Sequence, residues 1–535
     1  MGYLKVATRE EEKYYPWALA NSVHFYYSED KEHWVSFNQN YGILFAKATI
    51  REDNTIEEQA ITNPVFVKTD KGYGITARII DREGTLKDAE AVLLWNTEDF
   101  LHFEEQEKVN CKACEVLGDV LEVPGEMGKN LVTAWTPIHC VSVDYEKEFA
   151  VNTLEELDSA RATVNYNDGT KDIKRIVWDK KGAVKEPDGV YKVKGEIYQK
   201  QFPFPQAVGY ADPVIFRYDG KWYYVATNDN LNDIGIYVRE AEELELLFAE
   251  DVKQHCILDY DEEKNYIQTF WAPEFHMIGG EVYLLFALGG KQWAPHCHMM
   301  KLKKGGSIIK KEDWEEPVRV VRQDGSSLSG DGITLDMTYF KANNQSYVAW
   351  SYRYGIGTSK DTGSMIYIAT IDEKEPWRLT GEPVLLSRPL YGWENLIGTI
   401  NNEGPYMLQV EDRLYLAYSG GHAGGYYYSI GYLMAKENDD LLNPDSWKKL
   451  CTPAMSYYSI ENVYGPGHNS FFKDEDGKLW NAHHGEVSID GGPRSTALNR
   501  VHVNKWGFPV LNMSPERELC GEMKQVEARV TIKES

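Results

Sequence analysis

At 535 residues the chain is longer than one hydrophobic core organises, so several domains are expected. Its 42% apolar and 26% charged content exclude disordered and collagen-like architectures, and a net charge of −26 with no basic block excludes nucleic acid and anionic membranes as partners. No stretch approaches the roughly 18 consecutive apolar residues of a membrane-spanning helix.

The first segment, MGYLKVATREEEKYY, has no apolar core of a signal peptide, and seven cysteines at irregular spacing argue against a disulfide framework. A cytoplasmic location is therefore expected, and the negative net charge favours a neutral or cationic ligand. FYYSEDKEHWVSF (25–37) and LLWNTEDFLHFEE (93–105) each join a strand, an acidic turn and an aromatic residue. Residues 1–110 accordingly read as an N-terminal β-domain with two blade-like units. Residues 111–200 read as a β-sandwich with its linker, because ATVNYNDGTKDIKRIVWDKKGAVKEPDGVYKVKGEI alternates apolar and polar residues around Asn-Asp-Gly and Pro-Asp-Gly turns; the stretch resembles a bacterial immunoglobulin-like module. Cys111 and Cys114 form a lone CxxC near His139 and Cys140, which without a second spaced pair is weak support for zinc. His296 and His298 share one strand face and read more readily as hydrogen-bonded histidines than as ligands.

Further along, one pattern recurs at intervals of 62 to 67 residues: a polar residue, a short strand, a tight turn and an aromatic-rich strand. It follows Asp212, Glu274, Asp336, Glu403 and His468, with turns at Asp219-Gly220, Gly279-Gly280, Asn343-Asn344, Glu411-Asp412 and Asp476-Gly477. That step suits a four-stranded blade, so the fold class is all-β: residues 201–515 form a five-bladed β-propeller, followed by a C-terminal tail at 516–535. Pseudo-symmetry gathers the five polar residues at the axis. A turn-forming role explains any one of them, but a purely structural site avoids clustering like charges. Cleaving a glycosidic bond needs one carboxylic acid to protonate the leaving oxygen and one carboxylate to activate water or attack; a third anion helps the acid keep its proton.

The motifs ADP (211–213), WAPEFH (271–276), LDMTYF (335–340), NEGPYML (402–408) and YGPGHNSFF (464–472) occur in the order seen in family 43 of the glycoside hydrolases, which residues 205–512 resemble. The resemblance implies inverting release of arabinose or xylose, with Asp212 as general base, Glu403 as general acid and Asp336 tuning the acid. It implies that His468 lines the axial channel, near a metal ion or water cluster. It also implies sugar contacts from Trp271 and Arg494 and a supporting role for Glu274. Tyr391 and Trp393 read equally as walls of the sugar pocket or as core. No cofactor is required on this reading, a calcium ion in the channel being the one metal it allows. The stretches PLYGWENLIGTINNEGPYML and YSIGYLMAKENDDLLNPDSWKK look most like exo-acting α-L-arabinofuranosidases. The substrate expected is then a neutral arabinan- or arabinoxylan-derived oligosaccharide, while a β-D-xylosidase or a non-catalytic carbohydrate-binding propeller remains open. GGHAGGYYYSIGY (420–432) and NAHHGE (481–486) depart from the family pattern and bear on leaving-group specificity.

Overall fold

The five repeats fold as five antiparallel sheets. In a computed structural model describing residues 1–398 and 400–533, the first blade pairs Tyr210–Tyr218, Lys221–Asn228, Ile236–Ala241 and His255–Leu258 in sequence order. Thr399, inside the PLYGWENLIGTINNEGPYML stretch, and Glu534 and Ser535 of the expected tail lie outside the described residues. Three more blades repeat the order, their inner strands being Gln268–Ile278, Ile333–Ala342 and Asn402–Val410. The last, built on Tyr464–Lys473, Leu479–Glu486 and Ser495–Val503, is completed by Ala207–Val208, which precedes the first blade in sequence. That exchange closes the ring, and each inner strand touches the next, the fifth touching the first.

Hairpins form where the sequence places residues tolerant of positive φ: Asp219 and Gly220, Gly279 and Gly280, Asn343 and Asn344 all adopt it. Between blades the strand faces bury aromatic and branched side chains. Phe275, Phe286 and Trp314 pack with Val225 and Val238 in one such layer, and Trp350, Val348 and Met299 in the next.

The N-terminal unit holds two sheets, one ordered Val120–Val123, Gly2–Ala7, His24–Ser28, Val35–Ser36, the other Glu115–Gly118, Ala60–Thr69, Gly72–Ile80, Ala91–Thr97, Glu107–Asn110. Phe25, Phe66, Trp95 and Phe100 form their shared core. Strands at 115–123 and the helix Gly125–Trp135, whose Leu131 joins that core, carry this unit past the boundary expected at residue 110. Cys111 and Cys114 fall in the turn between two of its strands as free thiols.

Residues 140–197 form strands on one hydrogen-bonded path that runs through two sheets sharing the strand Lys171–Trp178, wrapped on Val164, Trp178, Val193 and Val530. Gln525–Ile532 belongs to that path. It pairs antiparallel with Tyr191–Ile197 and parallel with Glu148–Val151, so the segment expected as a tail supplies an interior strand. Its strict alternation of buried and exposed residues is that of a half-buried strand.

Candidate active site

Each inner strand breaks register near its start, once in the first, third and fourth blades and twice in the second and fifth, and each has a matching break at a residue with positive φ: Asp212 (54°), Ala272 (47°), Asp336 (56°), Gly404 (58°) and His468 (46°). These bulges are the structurally equivalent positions of the five blades. Glu274 therefore lies two residues past its blade's bulge and Glu403 one residue before, which corrects the equivalence read from their spacing. At Gly404 a Cβ would approach the His468 ring to 2.9 Å, so glycine is needed there for space as well as conformation.

Asp212 is buried, held from both oxygens. The Thr227 hydroxyl donates to Oδ2 at 2.6 Å while accepting the Ala272 backbone N–H at 2.8 Å. Oδ1 lies 3.2 Å from His468 Nδ1, 3.1 Å from His484 Nδ1 and 3.6 Å from Arg494 Nη1. Burial opposes ionisation, but His468 and Arg494 outweigh it and hold the Asp212 carboxyl well below the usual range. His484 is neutral. Burial lowers its pKa to about 4, Nε2–H donates to the Ala423 carbonyl at 3.1 Å, and Nδ1 accepts the Asp212 backbone N–H at 3.3 Å.

Glu403 has the opposite character. Burial first, and the charge of Asp336 second, raise its pKa to about 7 against the pull of His468 and of a 3.0 Å hydrogen bond from the Tyr428 hydroxyl to Oε1. Asp336 Oδ2 accepts from Ser351 Oγ at 3.0 Å and from the Gly404 backbone N–H at 3.1 Å, tying it to the residue after Glu403. Its own pKa is raised by burial and by Asp212, with His468 opposing.

His468 sits amid these acids. Burial lowers its pKa, but Asp212, Asp336, Glu274 and Glu403 together raise it, so the ring carries a proton above the ordinary range. Its backbone N–H donates to Ser419 Oγ at 2.7 Å, and its Nε2 is buried without a hydrogen-bond partner. Glu274 is buried against His276 Nε2 at 2.7 Å, and burial raises its pKa despite that contact. Among the described residues no group of three or more His, Cys, Asp or Glu side chains is arranged to hold a metal ion. Calcium takes six to eight oxygen ligands, and the buried atoms at the axis without a hydrogen-bond partner include one carboxylate oxygen, Asp212 Oδ1, and one nitrogen, His468 Nε2, on a ring that attracts a proton; this donor set does not confirm the calcium expected in the channel.

Arg494 grips Asp229 with two hydrogen bonds, 2.9 Å from Nε and 2.6 Å from Nη2, which aims its third nitrogen at Asp212. The Trp271 indole N–H donates to Asp233 Oδ2 at 2.8 Å. Trp393 stands apart: fully buried, it stacks on Tyr418 and donates to the Cys451 carbonyl at 3.0 Å, so its position is core and not a sugar wall. His296 and His298 are satisfied by Ser329 Oγ and the His296 carbonyl, and burial lowers both to about 4. Sequence reasoning missed Thr227, Ser351, Tyr428 and His484 as partners of the acids. Tyr428 and His484 lie inside the two stretches that depart from the family pattern, which was the available signal. A cavity of about 740 Å³ lies elsewhere, between the N-terminal unit and the fourth blade, lined by Lys47, Phe103, Arg388, Tyr391, Trp447 and Lys449 among others.

Comparison with known proteins agrees with this geometry. Residues 203–509 match the model described as glycosyl hydrolases family 43. An extracellular exo-α-(1→5)-L-arabinofuranosidase of Streptomyces avermitilis is 32% identical over 317 residues, 58% of this chain and 62% of its own length. The enzyme of the same description from Streptomyces chartreusis is 30% identical over 269 residues, 50% of this chain and 77% of its own. The crystal structure of an α-L-arabinofuranosidase from Lactobacillus brevis superposes with a TM-score of 0.50 at 28% identity, covering 57% of this chain and 95% of that one. The chain thus spans under two thirds of the first relative's length. Both Streptomyces relatives are described as extracellular, which overturns the expected cytoplasmic location.

Proposed function

Starting from the family to which this chain belongs, glycosyl hydrolases family 43, we propose that it is an inverting exo-acting α-L-arabinofuranosidase that removes terminal arabinose from arabinan- or arabinoxylan-derived oligosaccharides. The observation that carries the reading is the opposed ionisation of two acids in one ring: Asp212 is held charged, and Glu403 keeps its proton up to about pH 7. Glu403 protonates the glycosidic oxygen as the bond to the anomeric carbon breaks. Asp212 takes a proton from a water molecule that attacks the same carbon from the opposite face, so the released sugar has the inverted configuration. Asp336 keeps Glu403 protonated, and His468 balances the negative charge of the acids around it. Arg494 and Trp271 hold the sugar. The arabinose preference and the exo mode rest on the descriptions of the Streptomyces relatives. No step runs through a metal ion.

Initial rates on 4-nitrophenyl α-L-arabinofuranoside and 4-nitrophenyl β-D-xyloside, with the anomer first released followed by NMR, test the reading. Arabinose released with inversion is expected. Preference for the xyloside overturns the substrate, and release with retention overturns the roles given to Asp212 and Glu403.

A further inference from the structure

In every blade the second strand turns into the third on the face where the inner strands begin. Five loops, 229–235, 290–295, 354–364, 421–428 and 487–494, therefore ring the mouth above the acids. Four of them leave large apolar side chains in solvent: Leu231, Trp293, Tyr354 with Ile356, and Val487. The remaining loop presents Tyr426 to Tyr14 of the N-terminal unit, ring edge to face at 5.5 Å.

Trp293 is the largest of these exposed groups. It is 42% exposed on a loop, and its ring meets that of Trp271 edge to face, centroids 6.5 Å apart at 66°. Trp271 is itself fixed through Asp233, which neighbours Asp229; Asp229 clamps Arg494, and Arg494 reaches Asp212. Trp293 thus stands at the outward end of a line of neighbouring side chains that begins at the acids. Burying this indole in the protein would be favourable, and its exposure beside the site leaves a flat apolar face open to a ligand. In an exo cleavage the sugar beyond the broken bond has to lie outward of the acids, toward this mouth.

We propose that Trp293 is the platform of a leaving-group subsite, binding the apolar face of the second sugar of a neutral pentose oligosaccharide. The assignment rests on the glycosidase reading above and adds to it the part of the substrate that the acids do not touch.

The test compares Trp293→Ala and Trp293→Phe with the unmodified chain on α-1,5-arabinotriose and on methyl α-L-arabinofuranoside, which has no second sugar. Trp293→Ala is expected to lower kcat/KM on the triose about tenfold, mainly through KM, and to leave the methyl glycoside unchanged. Trp293→Phe should restore most of the loss. Equal effects on both substrates, or none on either, overturn the platform. Calorimetry in a Glu403→Gln background separates this idea from the reaction itself: Trp293→Ala must weaken arabinotriose binding while leaving L-arabinose binding unchanged. If the unmodified chain hydrolyses neither substrate the reaction reading fails, but the platform stands if that binding difference persists and falls if it is absent or the triose does not bind.

Discussion

Replacing Asp336 with Asn should move the alkaline limb of the pH–rate profile downward. The substitution keeps the shape, and its carbonyl oxygen can still accept from Ser351 and Gly404, so the main change is loss of one negative charge. Glu403 stands at about 7 where an ordinary glutamate titrates at 4.5, with burial the larger cause and Asp336 the next. Assigning Asp336 somewhat under half of that difference places the Asn variant's limb about one pH unit lower, equivalent to roughly 1.4 kcal/mol. At pH 7 the protonated fraction of Glu403 then falls from about one half to about one tenth, a loss of roughly fivefold that is absent near pH 5. Asp212 remains ionised across this window, so the limb reports the acid alone. The assay is kcat/KM on 4-nitrophenyl α-L-arabinofuranoside from about pH 4 to 9, a range that spans the ionisation of the free enzyme's acid. An unmoved limb, or one displaced upward, refutes the tuning role whatever happens to the plateau rate.

Tyr428→Phe should have the opposite sign. The Tyr428 hydroxyl favours the ionised form of Glu403, and Phe keeps the stack on His484, whose centroid lies 5.4 Å away at 8°, so the limb is expected to rise by about half a pH unit. Lys449→Met tests the buried pair beside the large cavity: Lys449 Nζ lies 2.6 Å from Glu394 Oε1, and Glu394 is fully buried. Stranding that carboxylate should cost about 3–5 kcal/mol in urea unfolding, and adding Glu394→Leu should recover most of it. Loss of the same size in the double variant would show that packing, not the unpaired charge, sets the cost.

The propeller was legible because its signal is local and repeated: a tight turn between two apolar strands, five times, at a near-constant interval. The site was legible in part. Asp212, Asp336 and His468 fall on the equivalent bulges, so their convergence follows from the period; Ala272 and Gly404 occupy the other two bulges and carry no polar letter, which is why spacing alone misplaced Glu274 and Glu403 by one or two residues. Trp393, ten residues before the acid, reads equally as sugar wall or core, because Tyr418 and Cys451, which enclose it, are brought near only by the folded chain. The C-terminal strand alternates as a strand should, but its partners at 148–151 and 191–197 lie more than three hundred residues away, a pairing no local pattern announces.

The N-terminal unit shows what the bulge does and does not supply. Its strand Ala60–Thr69 breaks register between Thr62 and Val65, with Asn63 at φ 52° ahead of Pro64, as Asp212 precedes Pro213. The same local device, a non-glycine residue held in the left-handed region at a cost of about 1 kcal/mol, occurs in both. Asn63 is exposed, whereas Asp212 is buried against His468, His484 and Arg494, all three from the last blade. A bulge re-aims a side chain, but only closure of the ring between the first and last blades brings up neutral His484 and the two cations, His468 and Arg494, that keep it ionised. The charge state of Asp212 is therefore a property of the closed ring, and Ala207–Val208, the strand that closes it, belongs to the chemistry as much as to the fold.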